Sequence, residues 1–251
     1  MQDTPNTPVT AAMVVIGDEI LSGRIRDSNA AHLSSIMTAI GIDLTEIRMV
    51  ADNRHAIIEA VNALRQRNTY VFTSGGIGPT HDDITADAVA AAFGRPCEHD
   101  ARAMRILADW YAHRQLEFTE ARQRMARVPE GAGLIDNPIS KAPGFVIGNV
   151  HVMAGVPAIF QAMLDNVLPT LRTGIKLQSR SVECPFGEGV IGSPLAAIQE
   201  AHPDTVIGSY PRYEDGTFWT EIVVRARDEN ALAAATQAVE AMVSELQAAG
   251  Q

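Results

Sequence analysis

Residues 73–85 read TSGGIGPTHDDIT, and their types and spacing could do phosphate chemistry. Gly75, Gly76 and Gly78 admit backbone conformations closed to other residues, so successive N–H groups can converge on one anion without a Cβ in the way. Asp82 and Asp83 follow at once and could hold a divalent metal or orient a water. The same acids also have a structural reading. They stand before the helical pattern Ile84, Ala88, Val89, Ala92, Phe93, and an Asp in that place caps the first N–H groups and complements the helix dipole. Sequence leaves both readings open.

The loop needs elements to hold it. Tyr70-Val71-Phe72 is a short apolar run with the composition of a buried strand, and strand-like runs alternate with helical patterns from Ala11 to Phe93. That alternation predicts an α/β fold, a doubly wound, mostly parallel sheet with helices on both faces. In such sheets ligands gather at the carboxyl ends of strands. The Gly17 turn with Glu19, Asp52 after the run Ile42 to Val50, and the Gly75 loop all follow strand-like segments. Further on, His99 to Met125 reads as helical and Arg-rich, and Gly148-Asn149 joins two apolar runs as a hairpin. Pro157 opens a helix that ends near Leu171.

The pattern changes around Arg172 to Gln178, which predicts a linker. Beyond it a strand at Ser181 to Cys184, a helix near Pro194 to Ala201, strands at Thr205 to Tyr210 and Thr217 to Arg227, and a helix from Asn230 to Leu246 make a β-α-β-β-α order. The expected domains are residues 9–172 and a second, smaller α+β layer over 179–251.

The loop string resembles the TGGxGPTxDDxT signature of the molybdopterin-binding (MoCF biosynthesis) family. The resemblance is to the branch found in competence/damage-inducible protein A and in some eukaryotic FAD synthases. Val14 to Gly23, VVIGDEILSG, is similar to that family's GxExLxG turn, Asp52 matches its strand-end acid, and Asn137-Pro138 with Ala142 to Phe145 matches NPxxxAPGF. Gly155-Val156-Pro157 matches the end of LPGVP, with Met153-Ala154 in place of Leu-Pro. The smaller layer resembles the KH-like domain of the same branch. The amidase domain of longer members is not expected in a chain that stops at Gln251.

The resemblance implies a metal-dependent nucleotide pyrophosphatase acting on ADP-ribose or FAD-like dinucleotides. Asp52 and Asp83 would be catalytic, and Gly75, Gly76, Gly78, Thr80, Lys141 and Gly155 would bind phosphate or nucleotide. Asp82, Asp83 and Glu19 would hold a divalent metal (Mg, Mn or Co). Two alternatives are a molybdopterin-binding or adenylylating protein of molybdenum cofactor biosynthesis and a noncatalytic nucleotide-binding module.

Composition narrows the partners. A formal net charge of −10 argues against a nonspecific nucleic-acid binder, whose affinity comes from Lys and Arg on phosphates. Gly189 to Gly192 spells GxxG but holds no basic residue, which removes the RNA-binding reading. Small phosphorylated or pterin ligands remain, with Arg24, Arg26, Arg48 and above all Lys141 as candidate contacts. Two cysteines, Cys97 and Cys184, give no disulfide framework, and no run reaches transmembrane length, so a soluble cytoplasmic homo-oligomer is expected.

Overall fold

The structure is a computed structural model that describes residues 8–214 and 216–250. It divides into two compact units between Gly174 and Ile175, inside the predicted linker. The first unit contains β1 (Thr10–Ile16), α1 (Asp18–Leu21), α2 (Asn29–Ala39), β2 (Asp43–Val50), α3 (Arg54–Arg65), β3 (Tyr70–Ser74) and α4 (Thr85–Ala92). It continues with β4 (Cys97–His99), α5 (Ala101–His113), α6 (Glu120–Gln123), a 3-10 turn at Arg124–Ala126, β5 (Arg127–Pro129), β6 (Gly133–Ile135), β7 (Gly144–Ile147), β8 (Val150–Met153) and α7 (Pro157–Val167).

Six strands form one sheet in the order β2-β1-β3-β8-β7-β6. The first four are parallel, and β7 and β6 run antiparallel to their neighbours. Strand β1 is buried along nearly its whole length, as a central parallel strand covered on both faces must be. Its residues alternate between two cores. Ala11, Met13 and Val15 pack with Leu33 and Met37 of α2 and Phe160 and Met163 of α7, while Ala12, Val14 and Ile16 pack with Ile57, Val61 and Leu64 of α3 and Ala88 and Val89 of α4. Helix α3 presents Ile57, Ala60, Val61 and Leu64 at helical spacing and starts on Asn53, whose side chain accepts from the His55 and Ala56 N–H groups. The chain leaves β1 for β2 on one side and comes back to β3 on the other. This puts a topological switch point between the carboxyl ends of β1 and β3.

One buried polar group in this core sets a pH dependence. His151 of β8 stacks on Phe72 with ring centres 5.2 Å apart and meets Tyr70 edge-on, and burial holds its imidazole down at about 4 from the usual 6.5. The unfolded chain therefore binds this proton first, and the stability it carries is complete above pH 6.5 and drains away as pH falls toward 4. Denaturant melts should show about 2 kcal/mol less stability at pH 5 than at pH 8 from this residue. His151→Phe should remove that part of the slope; an unchanged slope in the variant contradicts the assignment.

The second unit contains β9 (Gln178–Cys184), α8 (Glu188–Ala201), β10 (Thr205–Glu214), β11 (Thr217–Ala226) and α9 (Glu229–Ala248). Its antiparallel sheet has the order β10-β11-β9. Ile222 and Val224 of β11 pack with Ile191 and Leu195 of α8 and with Leu232, Val239 and Val243 of α9. One boundary differs from expectation. Helix α8 begins at Glu188 rather than near Pro194, so Pro194 lies inside it and Gly189 to Gly192 is helix rather than loop. The apolar Ile191 and Leu195 are the reason: their burial against β11 and α9 outweighs the hydrogen bond that Pro194 forgoes. Cys97 and Cys184 are both free thiols, and burial pushes that of Cys97 up to about 11. No helix among the described residues is long and apolar enough to cross a membrane.

Candidate functional site

A cleft of about 460 Å³, within the range of small-molecule sites, opens at the switch point. Its floor is the ends of three adjacent strands: Val15 and Ile16 from β1, Ser74 to Pro79 after β3, and Ala154 to Pro157 after β8. Glu19 and Ile20 of α1, Arg26 to Asn29 at the start of α2, and Asp83 complete one side, with Met125, Asn137, Ser140 and Ala142 on the other. By area apolar groups dominate the lining, with polar and charged side chains such as Glu19, Arg26, Asp27 and Asp83 set among them.

The strand ends fit closely because glycine stands where they meet. Gly75 has φ +107, and a Cβ there would lie 2.2 Å from the Ile16 carbonyl oxygen. Its N–H is committed to the Met153 carbonyl at 3.1 Å, so its part is close approach and not donation to a ligand. Gly76, with φ +69, faces Thr85, whose Oγ1 would be 2.1 Å from an added Cβ. A side chain at Gly76 thus collides with the protein itself, in contrast to the expected collision with ligand. Thr85 fastens the loop: its hydroxyl donates to the Gly75 carbonyl at 3.0 Å and its N–H to the Gly76 carbonyl at 2.9 Å. The N–H groups of Gly76, Ile77 and Gly78 have no acceptor among the described residues, which leaves three successive amides for an anion.

The acids separate into two roles. Asp83 is half-buried in the cleft wall, and its Oδ2 accepts from the Thr80 N–H at 2.7 Å and the Thr80 hydroxyl at 2.5 Å. It caps no helix, because α4 starts on Ile84 without a side-chain cap. Thr80 spends both its donors on Asp83 and does not line the cleft, so its expected contact with phosphate becomes support of the acid. Asp82 is exposed outside the cleft.

Asp52 does not line the cleft either. It sits behind Glu19, with its Oδ2 accepting from the Asp18 N–H at 3.0 Å while its own N–H donates to Asp18 Oδ1 at 3.4 Å. Burial raises its carboxyl above the ordinary range, and the negative charges of Asp18, Glu19 and Asp82 push the same way. The expected catalytic Asp52 thus stands off the cleft, bonded to the Asp18-Glu19 turn. Lys141 also lies off the cleft. Its backbone takes φ 63 in a turn closed by its N–H on the Asn137 carbonyl, and the cation on the wall is Arg26. Arg48 is paired with Glu46 and Glu59. Gly155 backs onto Gly75, where an added Cβ would be 3.2 Å from the Gly75 Cα.

Sequence reading missed Asn29, Ser74, Asp18 and Arg124. Asn29 is buried at the start of α2, and its Nδ2 donates to the Ser74 hydroxyl and to the Gly155 carbonyl, both at 2.7 Å. One side chain thus ties α2 to the ends of β3 and β8. An Asn immediately before an apolar helical pattern is the signal, but capping explains it equally well.

A hard divalent ion fits the donor chemistry present. Magnesium is usually held by one or two carboxylates plus the phosphates of its ligand, and Glu19 and Asp83 are two carboxylates on the cleft wall. Among the described residues no three His, Cys, Asp or Glu side chains gather into a complete protein cage.

Comparison with known proteins adds the following. The family described as "Probable molybdopterin binding domain" matches residues 12–173, and "FAD synthase, middle domain" matches residues 176–249. A curated protein of Aeropyrum pernix is 34% identical over 244 residues, covering 92% of this chain and 90% of that one. A CinA-like protein of Desulfosudis oleivorans is 34% identical over 216 residues, 82% of this chain and 52% of that protein, about half its length. The crystal structure of CinA from Thermoplasma acidophilum, given as of unknown function, is 30% identical with a TM-score of 0.61, covering 65% of this chain and 98% of that one.

Proposed function

The chain belongs to the molybdopterin-binding domain family in its CinA-type arrangement, and on that premise we propose that it is a pyrophosphatase of nucleotide diphosphates such as ADP-ribose or FAD. The observation that carries the reading is the meeting, in one cleft, of three amides with no acceptor among the described residues, the carboxylates of Glu19, Asp27 and Asp83, and a largely apolar wall. The amides of Gly76, Ile77 and Gly78 hold the diphosphate, and the apolar wall takes the base or flavin ring. A divalent ion bound by Glu19 and Asp83 would supply charge neutralisation on the bridging phosphates. Asp83 also orients a water in line with the scissile P–O–P bond and accepts its proton as the oxygen attacks phosphorus. The bond to the bridging oxygen breaks, and the leaving phosphate keeps the electron pair. Thr80 fixes the Asp83 carboxylate, and Asp52 fixes the turn that carries Glu19. The likeness of residues 176–249 to the FAD synthase middle domain adds flavin dinucleotide to the substrates worth testing.

A second reading, pterin binding, draws on the match of residues 12–173. The same amides would hold the pterin's phosphate. Incubation with ADP-ribose, FAD, NAD and molybdopterin under Mg²⁺, Mn²⁺ or Co²⁺, with chromatography of the products, decides between them. AMP release from a dinucleotide is the expected result. Tight molybdopterin binding without nucleotide turnover selects the second reading, and nucleotide binding without turnover under every metal makes the chain a noncatalytic module.

A further inference from the structure

Beside the glycine loop a second, much smaller cavity of about 10 Å³ is lined by Arg124 together with Gly76, Ile77, Gly78 and Asp83. Those four loop residues also line the cleft. The loop is therefore common to the cleft and to the cavity that holds Arg124. Arg124 Nη2 donates to the Asp83 carbonyl at 3.5 Å, and its buried Nε has no acceptor among the described residues. No carboxylate pairs with it there either. Arg127, three residues on, is by contrast neutralised by Asp87 through two bonds of 2.8 and 2.6 Å. Of two arginines beside one loop, one is in an ion pair and the other is in none among the described residues, although Asp83 and Asp87 line the same small cavity.

We propose that Arg124 is the cation that makes this loop selective for phosphate, acting through the loop backbone as a positioning residue; the proposal rests on the nucleotide reading above. Its charge sits on a partly buried side chain, where it is screened less than in bulk water and acts over several ångströms. It adds to the field of the Gly76 to Gly78 amides and opposes the repulsion that Glu19 and Asp83 exert on an incoming diphosphate. Its bond to the Asp83 carbonyl fixes the far end of the same loop.

Calorimetric titration of the full chain with adenosine, AMP, ADP-ribose and inorganic pyrophosphate tests this. In Arg124→Gln the loss of affinity should grow with ligand charge, from none for adenosine to about tenfold for ADP-ribose and pyrophosphate. Arg124→Lys keeps the charge and should retain most of that affinity. Equal losses for adenosine and ADP-ribose would show a structural role and overturn the proposal, as would an unchanged series. Should the glutamine variant not fold, the lysine variant decides, because a lost preference for the charged ligands there assigns the effect to the guanidinium's bonds and not to its charge. A parent protein that binds none of the phosphate ligands ends the nucleotide reading and this inference together, whereas a binding parent with an indifferent Arg124 ends this inference alone.

Discussion

Gly75→Ala is expected to abolish activity and to lower the melting temperature by about 10 °C. Two costs add. The backbone at φ +107 is one that residues with a Cβ avoid, and the new methyl would sit 2.2 Å from the Ile16 carbonyl oxygen. That oxygen belongs to the backbone at the end of β1, so it cannot swing aside as a side chain would. Overpacking of this kind costs about 1–3 kcal/mol, and the strained dihedral adds about 1–2 kcal/mol. Movement of the loop also breaks the bond from the Gly75 N–H to the Met153 carbonyl and shifts the amides away from the cleft. Gly131→Ala is the control, since Gly131 has φ +81 but no atom within 4 Å of an added Cβ. It should carry only the dihedral cost, about 1–2 kcal/mol, and keep full activity. A Gly75 variant that melts no lower than the Gly131 variant would show that the strand ends can part, and the close junction of β1 and β3 would lose its role in shaping the site.

What could be read from sequence follows from the range of the interactions involved. The β7-β8 hairpin was visible in Gly148-Asn149 because the turn is local: Gly148 takes φ 56, and flanking apolar runs fix the register. The central strands were visible because burial on both faces leaves an unbroken apolar run. The glycine loop was visible for a similar reason, since conformational need is written in the residue itself. Arg124 was hidden because the group it reaches, the Asp83 carbonyl, lies 41 positions away, and because nothing local tells it from Arg127, which pairs with the Asp87 carboxylate. Asn29 was hidden because its partners, Ser74 and Gly155, lie 45 and 126 positions along the chain. Lys141, expected as a ligand contact from its place between matched motifs, lies in a left-handed turn off the cleft, a placement that depends on tertiary structure. The helix start before Pro194 was lost because a proline signals an opening locally, while the burial of Ile191 is a tertiary fact.

The charge of Asp83 is where the proposed chemistry stands or falls, and Asp83→Asn separates it from structure. Oδ2 receives both bonds from Thr80, while Oδ1 has no hydrogen-bond donor of its own among the described residues. An asparagine can keep its carbonyl oxygen on the Thr80 N–H and hydroxyl and place its amide where Oδ1 was. The loop geometry then survives, at the difference between a charged and a neutral acceptor, about 1 kcal/mol. The proton acceptor and the negative ligand for a divalent ion are lost together. Turnover should therefore fall about 10²–10⁴-fold while the melting temperature moves by only about 2–4 °C. Nucleotide affinity measured without metal should hold or rise, because a negative charge facing the diphosphate has been removed. Measured kcat, melting temperature and metal-free Kd on one preparation make the comparison. Full specific activity with a lower melting temperature would reduce Asp83 to a fastener of the Thr80 turn. In that outcome two cleft carboxylates would be left for the proposed chemistry, Glu19 and Asp27, the second of which already accepts from the Ala30 N–H.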